Sequence, residues 1–429
     1  ALTATQVANL TNTQIAALSV GDVGELTTTQ IAALTQSQVR ALTATTLAAL
    51  VDTQIAALTA TQVASLTTTN VTGLTETQVG ALTPTQVAAL TNSQVQALTT
   101  TNLSALDATQ VSALTTGQAR AITATQIDAL TAADVAEFTA TQLAALTTTQ
   151  VGALTATNVA SLAATQVAAF ASTQLARFTT ETLSAFDATQ AAALTATQVR
   201  GLTATQVTAL SATDVAEFNE TQIGALTRTQ VQALTATNLA SLGATQVAAF
   251  NTTQIQGFST TNLSALDAAQ AGALTTTQIG ALTATQVGGL SSTDIGELSA
   301  TQTAAFNATQ IAGLSTTAAS ALDATQIAAF NTTQVRAFST TQVAALTATD
   351  IAELSVTQLA ALTTTQIGAL NATNVGELSE TQVAALTAAQ VQALSTTNLS
   401  ALADSQIAAL TTTQVAALSA TQLTGLNAT

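Results

Sequence analysis

An eight-residue phrase runs through this chain without insertion or deletion. It reads Leu2-Thr3-Ala4-Thr5-Gln6-Val7-Ala8-Asn9, restarts at Leu10, and is still in phase at Leu426. Leu, Phe or a single Ile (Ile122) occupies every eighth residue from Leu2 onward. A period this short and this strict constrains the fold more than composition does. One octad offers one Leu and one Val to a core, too little to offset the entropy of ordering its eight residues. Neighbouring octads must therefore share a core, as the units of a solenoid do.

The phrase itself encodes a helix start. Positions are counted here from the residue before the Leu, so that Leu2 holds position 2. Position 3 is Thr, Ser, Asn or Asp except at Val51, Ala163, Ala171, Gly243 and Ala403. These four residue types are the preferred helix N-caps. Position 6 is mostly Gln, and Thr-x-x-Gln is the spacing of a capping box. Positions 2 and 7 then fall at N′ and N4, the pair that forms a hydrophobic staple. The single proline, Pro84, falls at N1, where a missing N–H does no harm. The next Leu-Thr restarts the cap, so each helix is held to one or two turns. A continuous helix is excluded because an eight-residue period drifts by about 80° per repeat on a turn of about 3.6 residues. The expected fold class is all-α, an extended solenoid of short capped helices, one per octad, over residues 1–429 as a single uninterrupted array. A β-solenoid is the rival, since Thr and Val favour strands. Against it, positions 2 and 7 have opposite parity and would point to opposite faces of a flat strand.

Composition narrows the function classes. Charged residues are 7% of the chain, the net charge is −16, and Lys, His, Cys, Tyr, Met and Trp are absent. Without His, Cys, Lys or Tyr the usual general bases and most nucleophiles are missing, so no enzyme is expected. No basic groove or aromatic platform for nucleic acid is present. Thr and Gln interrupt every apolar run, so membrane insertion is not expected despite a mean hydropathy of +0.42. No small-molecule substrate is implied. Thr, Ser, Gln and Asn are expected to form the surface. The lack of an initiator Met suggests a processed product or a segment of something longer.

A second period, of ten octads, overlies the first. It separates Phe170, Phe250 and Phe330, and it equally separates Asp134, Asp214 and Asp294, and Arg40, Arg120 and Arg200. Duplication of a ten-octad block explains this; a superhelical repeat returning equivalent faces to register is compatible with it. The Phe residues hold the Leu position and are read as core. The six Arg residues are read as surface, or as partners of acidic octads on another subunit. Asn-x-Thr sequons such as Asn9-Leu10-Thr11, Asn251-Thr252-Thr253 and Asn307-Ala308-Thr309 follow from the octad itself and say little about glycosylation.

One coupling is not explained by the octad. Asp at position 6 is always followed three residues later by Glu: Asp22/Glu25, Asp134/Glu137, Asp214/Glu217, Asp294/Glu297 and Asp350/Glu353, with Asn374/Glu377 as a sixth member. Like charges three apart on a helix repel. A calcium ion would relieve the repulsion, although two carboxylates fall short of its usual six to eight ligands. Asp134, Glu137, Asp214, Glu217, Asp294, Glu297, Asp350 and Glu353 are thus weak calcium candidates beside a solvated, structural reading. No other cofactor is implied.

The phrase Leu-Thr-x-x-Gln-Val-x-Ala-Leu resembles the octapeptide arrays of very large secreted or surface proteins of bacteria. That resemblance implies an extracellular or cell-surface location. With uniform repetition and a weakly charged face, it leads to the expectation of a structural protein that self-associates into a filament, stalk or matrix fibre. The alternative is a Thr-rich binding surface, such as an ice-binding or adhesin spacer module, built on Thr3-x-Thr5. Its ice-binding form requires strands with outward Thr.

Overall fold

The computed structural model describes residues 2–426. Among them the chain is all-helical, with 53 helices of four to seven residues and no strand. The β-solenoid alternative and the strand lattice that an ice-binding face needs are therefore not what this sequence forms. The chain falls into two compact units, Ala1–Phe218 and Asn219–Thr429.

Each octad folds as its capping signals dictate. In the first, the Thr3 hydroxyl accepts from Gln6 N–H at 3.3 Å, while Gln6 Oε1 accepts from Thr3 N–H at 2.7 Å. The Thr3 carbonyl takes the first helical bond from Val7 N–H at 3.0 Å, and Leu10 N–H closes the last turn onto the Val7 carbonyl at 3.1 Å. Pro84 stands in the first turn of helix Pro84–Ala89, as expected. At Val51, Ala163, Ala171, Gly243 and Ala403 no side chain caps the helix, and only the Gln half of the box remains; Gln166 Oε1, for instance, accepts Ala163 N–H at 2.6 Å.

The corner between helices is made by the Leu-Thr pair. Leu34 (φ −58°, ψ 136°) and Thr35 (φ −72°, ψ 158°) are both extended and near polyproline geometry. No described residue has a positive φ, so the corner needs no glycine and can be repeated with ordinary residues.

Within each unit the helices stack at a fixed interval. Helix Ala4–Ala8 packs on Thr28–Ala33, Asn12–Ala16 on Gln36–Ala41, and Thr252–Ile255 on Thr276–Ala281; each partner is the third helix along. One coil is therefore three octads, with three short helices as its sides. The position-7 side chains (Val39, Val63, Val87) are fully buried, and the position-2 Leu residues nearly so. Both point into one core, as a staple requires. The Phe residues are core, as expected. Phe170 and Phe178, on successive sides, meet edge to face with ring centroids 5.3 Å apart, and Phe250 and Phe258 meet at 5.0 Å.

Ten octads is not a whole number of three-octad coils. Within the second unit, Phe250 and Phe330 thus precede helices of different stacks, Thr252–Ile255 and Thr332–Val335. The ten-octad period does not return a residue to the same helix stack.

Candidate functional site

The most repeated chemical feature is the position-6 side chain. Capping uses only the oxygen of the Gln amide. Its nitrogen turns to the coil beneath, where Gln38 Nε2 donates to the carbonyls of Val7 at 3.0 Å, Ala8 at 3.2 Å and Leu10 at 2.8 Å. Gln94 repeats this on Val63 and Leu66, both at 2.8 Å, and Gln310 on Ile279 at 2.9 Å and Leu282 at 2.7 Å. The acceptors are the end of one helix and the corner that follows it, 31 and 28 residues earlier. The helix-end carbonyls have only the N–H of the corner Leu, the corner carbonyls have no backbone partner at all, and burying the latter unpaired would be costly. A column of amides between coils satisfies them.

Gln and Asn are expected on the surface; at position 6 beyond the first coil nearly all of them are buried instead. Gln38, Gln222 and Gln326 are each 1% exposed. Thr keeps its surface role, since positions 3 and 5 face outward in most octads. One signal for the buried Gln lay in the sequence. A capping box accepts Glu as readily as Gln, yet Glu never occurs at position 6. Only the amide carries the donor that the lower coil needs.

Shorter residues at position 6 weaken the rung by degrees. Asn70 Nδ2 reaches only the Leu42 carbonyl, at 2.8 Å, and Asn398 only that of Leu370, at 2.7 Å. In sequons that begin at position 6, such as Asn70-Val71-Thr72, the Asn is buried in the ladder. Asn251 and Asn307 instead cap helices from an exposed position 3. Position 8 works upward: Arg40 Nε donates to the Ser65 carbonyl at 3.2 Å, and Thr72 Oγ1 to that of Ala97 at 3.0 Å. Coils approach so closely at this position that a Cβ on Gly288 would lie 2.6 Å from the Gly313 carbonyl oxygen.

The acidic octads gather more than the sequence pairs indicated. Glu137 sits beside Asp134 on its own helix and beside Asp107, the N-cap of the helix beneath. Glu217 has Asp214 and Asp187, Glu297 has Asp294 and Asp267, and Glu353 has Asp350 and Asp323. Burial raises each of these four Glu side chains above the ordinary carboxyl range, and the two neighbouring Asp charges add to the rise. Asp22 lies in the first coil, where its carboxylate accepts from Ser19 and is held below the ordinary range by those bonds. Among the described residues no group of three or more acidic side chains is placed to hold a metal ion. Asp107, Asp187, Asp267 and Asp323 were missed as members of these sets. Each holds position 3 of the octad one full coil before its Asp partner, a relation that carries meaning only once the coil length is known.

The family model for the ALTTAQ repeat matches residues 247–284, 320–356 and 383–420. All three stretches lie in the second unit, and the octad phase is unbroken from there back to Leu2. The chain thus carries tandem repeats similar to that family. No curated protein matches it.

Proposed function

We propose that this chain is a non-catalytic structural protein that forms an extracellular filament, stalk or matrix fibre by self-association. The observation that supports this reading is the glutamine ladder. Its rungs recur from coil to coil within each unit, so the surface one coil offers the next is nearly the same throughout. A free end of such an array is complementary to the opposite end of another copy. That contact is heterologous and propagates rather than closing, unless the geometry makes a ring. The net charge of −16 opposes assembly, but it is spread along the chain and screened beyond about 8–10 Å in physiological salt. The likeness to octapeptide arrays of large secreted bacterial proteins supports an extracellular or cell-surface setting, with partners that are copies of itself.

Sedimentation and electron microscopy at micromolar protein test this. Fibres or head-to-tail polymers, favoured by added salt, are expected. A monodisperse monomer at both low and high salt would remove self-association and leave a spacer role.

A further inference from the structure

Four places in the array break the ladder in the same way. Asp134, Asp214, Asp294 and Asp350 stand at position 6 where Gln is the rule. Each keeps the capping half of the rung, accepting the backbone N–H of Thr131 at 2.8 Å, Ser211 at 2.8 Å, Ser291 at 2.7 Å and Thr347 at 2.6 Å. A carboxylate has no N–H to send downward. The next rung, Gln142, donates to the Val111 and Leu114 carbonyls, both at 2.7 Å; Asp134 cannot make the equivalent bonds. At three of the four sites a single hydroxyl crosses the junction instead. Ser104, Ser184 and Ser264 donate to Asp134, Asp214 and Asp294 at 2.5, 2.8 and 2.6 Å. At the fourth, Ser320 donates elsewhere, to the Ala345 carbonyl at 3.0 Å.

Two further observations point the same way. The coils meet at these rungs through like charges, Asp107 from below against Asp134 and Glu137 from above, and Oε2 of both Glu137 and Glu353 is buried with no hydrogen-bond partner. Asp is also one methylene shorter than Gln, and at two of the four rungs a small cavity of about 10 Å³ lies alongside: beside Asp214 and Glu217, against Leu183 and Phe186, and beside Asp350, against Leu322 and Phe338.

The set travels together. Ser, both Asp residues and the Glu recur at ten-octad intervals in the first three copies, and block duplication accounts for that. The fourth copy follows after only seven octads with all four members in place, although the octads between have changed, Leu274-Thr275 in one set corresponding to Phe330-Asn331 in the other.

We propose that these four acidic rungs are built-in opening points, at which stacked coils part before the glutamine-laddered coils around them. Under heat or load the array yields there first and stays folded between. This does not depend on self-association, because each rung lies inside one unit.

Hydrogen exchange on the intact chain, resolved by peptide mass spectrometry, tests it. Helices Ala132–Ala136 and Ser292–Gly296 are expected to exchange about tenfold or more faster than the glutamine-laddered helices Ala140–Ala145 and Ala308–Gly313. Asp134→Gln restores the amide and should slow Ala132–Ala136 to the rate of its neighbours, with Asp134→Asn falling between, as the single downward bond of Asn residues requires. If circular dichroism shows that Asp134→Gln has lost helix, Glu137→Gln is read in its place; it removes one charge from the junction and should slow the same helix severalfold. Uniform protection along the array, or unchanged exchange in the folded variant, would overturn the proposal.

Discussion

The side-chain amide of Gln38 donates to the carbonyl of Leu10, 28 residues earlier, at 2.8 Å, while its oxygen accepts the backbone N–H of Thr35 at 2.7 Å. One side chain thus starts a helix and fastens it to the coil beneath. Local and tertiary structure share a single residue, and a change at that residue touches both.

Gln118 separates the two roles. Its Nε2 donates to the Val87 and Leu90 carbonyls, both at 2.8 Å, and its Oε1 accepts Thr115 N–H at 2.7 Å. Gln118→Glu keeps the cap but leaves the buried Leu90 carbonyl unpaired and the Val87 carbonyl with only its bond from Leu90 N–H, at an expected cost of about 2–3 kcal/mol. Gln118→Asn should cost about 1 kcal/mol, because an Asn rung keeps one downward bond. Denaturant unfolding followed by circular dichroism gives the ranking; equal effects of Glu and Asn would show that the downward bonds contribute little.

Ala163 and Ala171 offer the opposite test. Both head helices without a side-chain cap. Ala163→Thr or Ala171→Ser should stabilise by about 0.5–1 kcal/mol, since each completes a box whose Gln half already exists. A lowered unfolding midpoint would mean that the added hydroxyl is not accepted at that corner.

Phe178 stands between two rings, Phe170 at 5.3 Å and Phe186 at 6.0 Å. Phe330 has one such neighbour, Phe338 at 6.0 Å. Replacing either by Leu, the usual residue at position 2, removes edge-to-face contacts worth about 0.5–1.5 kcal/mol per pair. Phe178→Leu should therefore lower stability more than Phe330→Leu. A larger loss from Phe330→Leu would show that volume, not ring pairing, sets the cost.

The raised Glu residues give a pH dependence with a definite sign. A carboxyl raised in the folded state binds protons more tightly there than in the unfolded chain, so acid favours folding. The contribution of Glu137, Glu217, Glu297 and Glu353 is fully present below the unfolded value near about 4.3 and is lost as pH rises through their elevated folded values. The unfolding midpoint should fall as pH goes from about 4 to 7, and the fall should shrink when these Glu residues become Gln. A midpoint that rises with pH over that range, or a fall untouched by the substitutions, would contradict the assignment.

The local half of this fold was legible and the long-range half was not. Thr3, Gln6, Leu2 and Val7 carry their helix-start roles in their spacing, because a capping box and a staple are complete within one octad. The destination of Gln38 Nε2 lies 28 residues away, and no short pattern reveals it until the number of octads per coil is known. Asp107 was passed over for the same reason. It is an ordinary N-cap in its own octad and becomes part of an acidic set only when the helix of Asp134 is laid on top of it. The absence of Glu from position 6 was the one trace of the ladder that the sequence held in plain view.

The three-sided coil has a consequence for how such a chain changes length. Each rung spans from one side to the side three octads earlier, whichever side that is, so the ladder closes after the gain or loss of any whole octad. The unit of growth is then one helix and its corner, not one full coil. The copies within the second unit illustrate it: the acidic sets at Asp294 and Asp350 are separated by seven octads, which is two coils and one side. A gain of half an octad would throw each Gln whose rung spans it out of reach of its carbonyls, while a gain of a whole one leaves each with a carbonyl to meet. Replication slippage in steps of one octad would therefore be nearly silent for folding, and the length of such an array is free to drift under selection for reach alone.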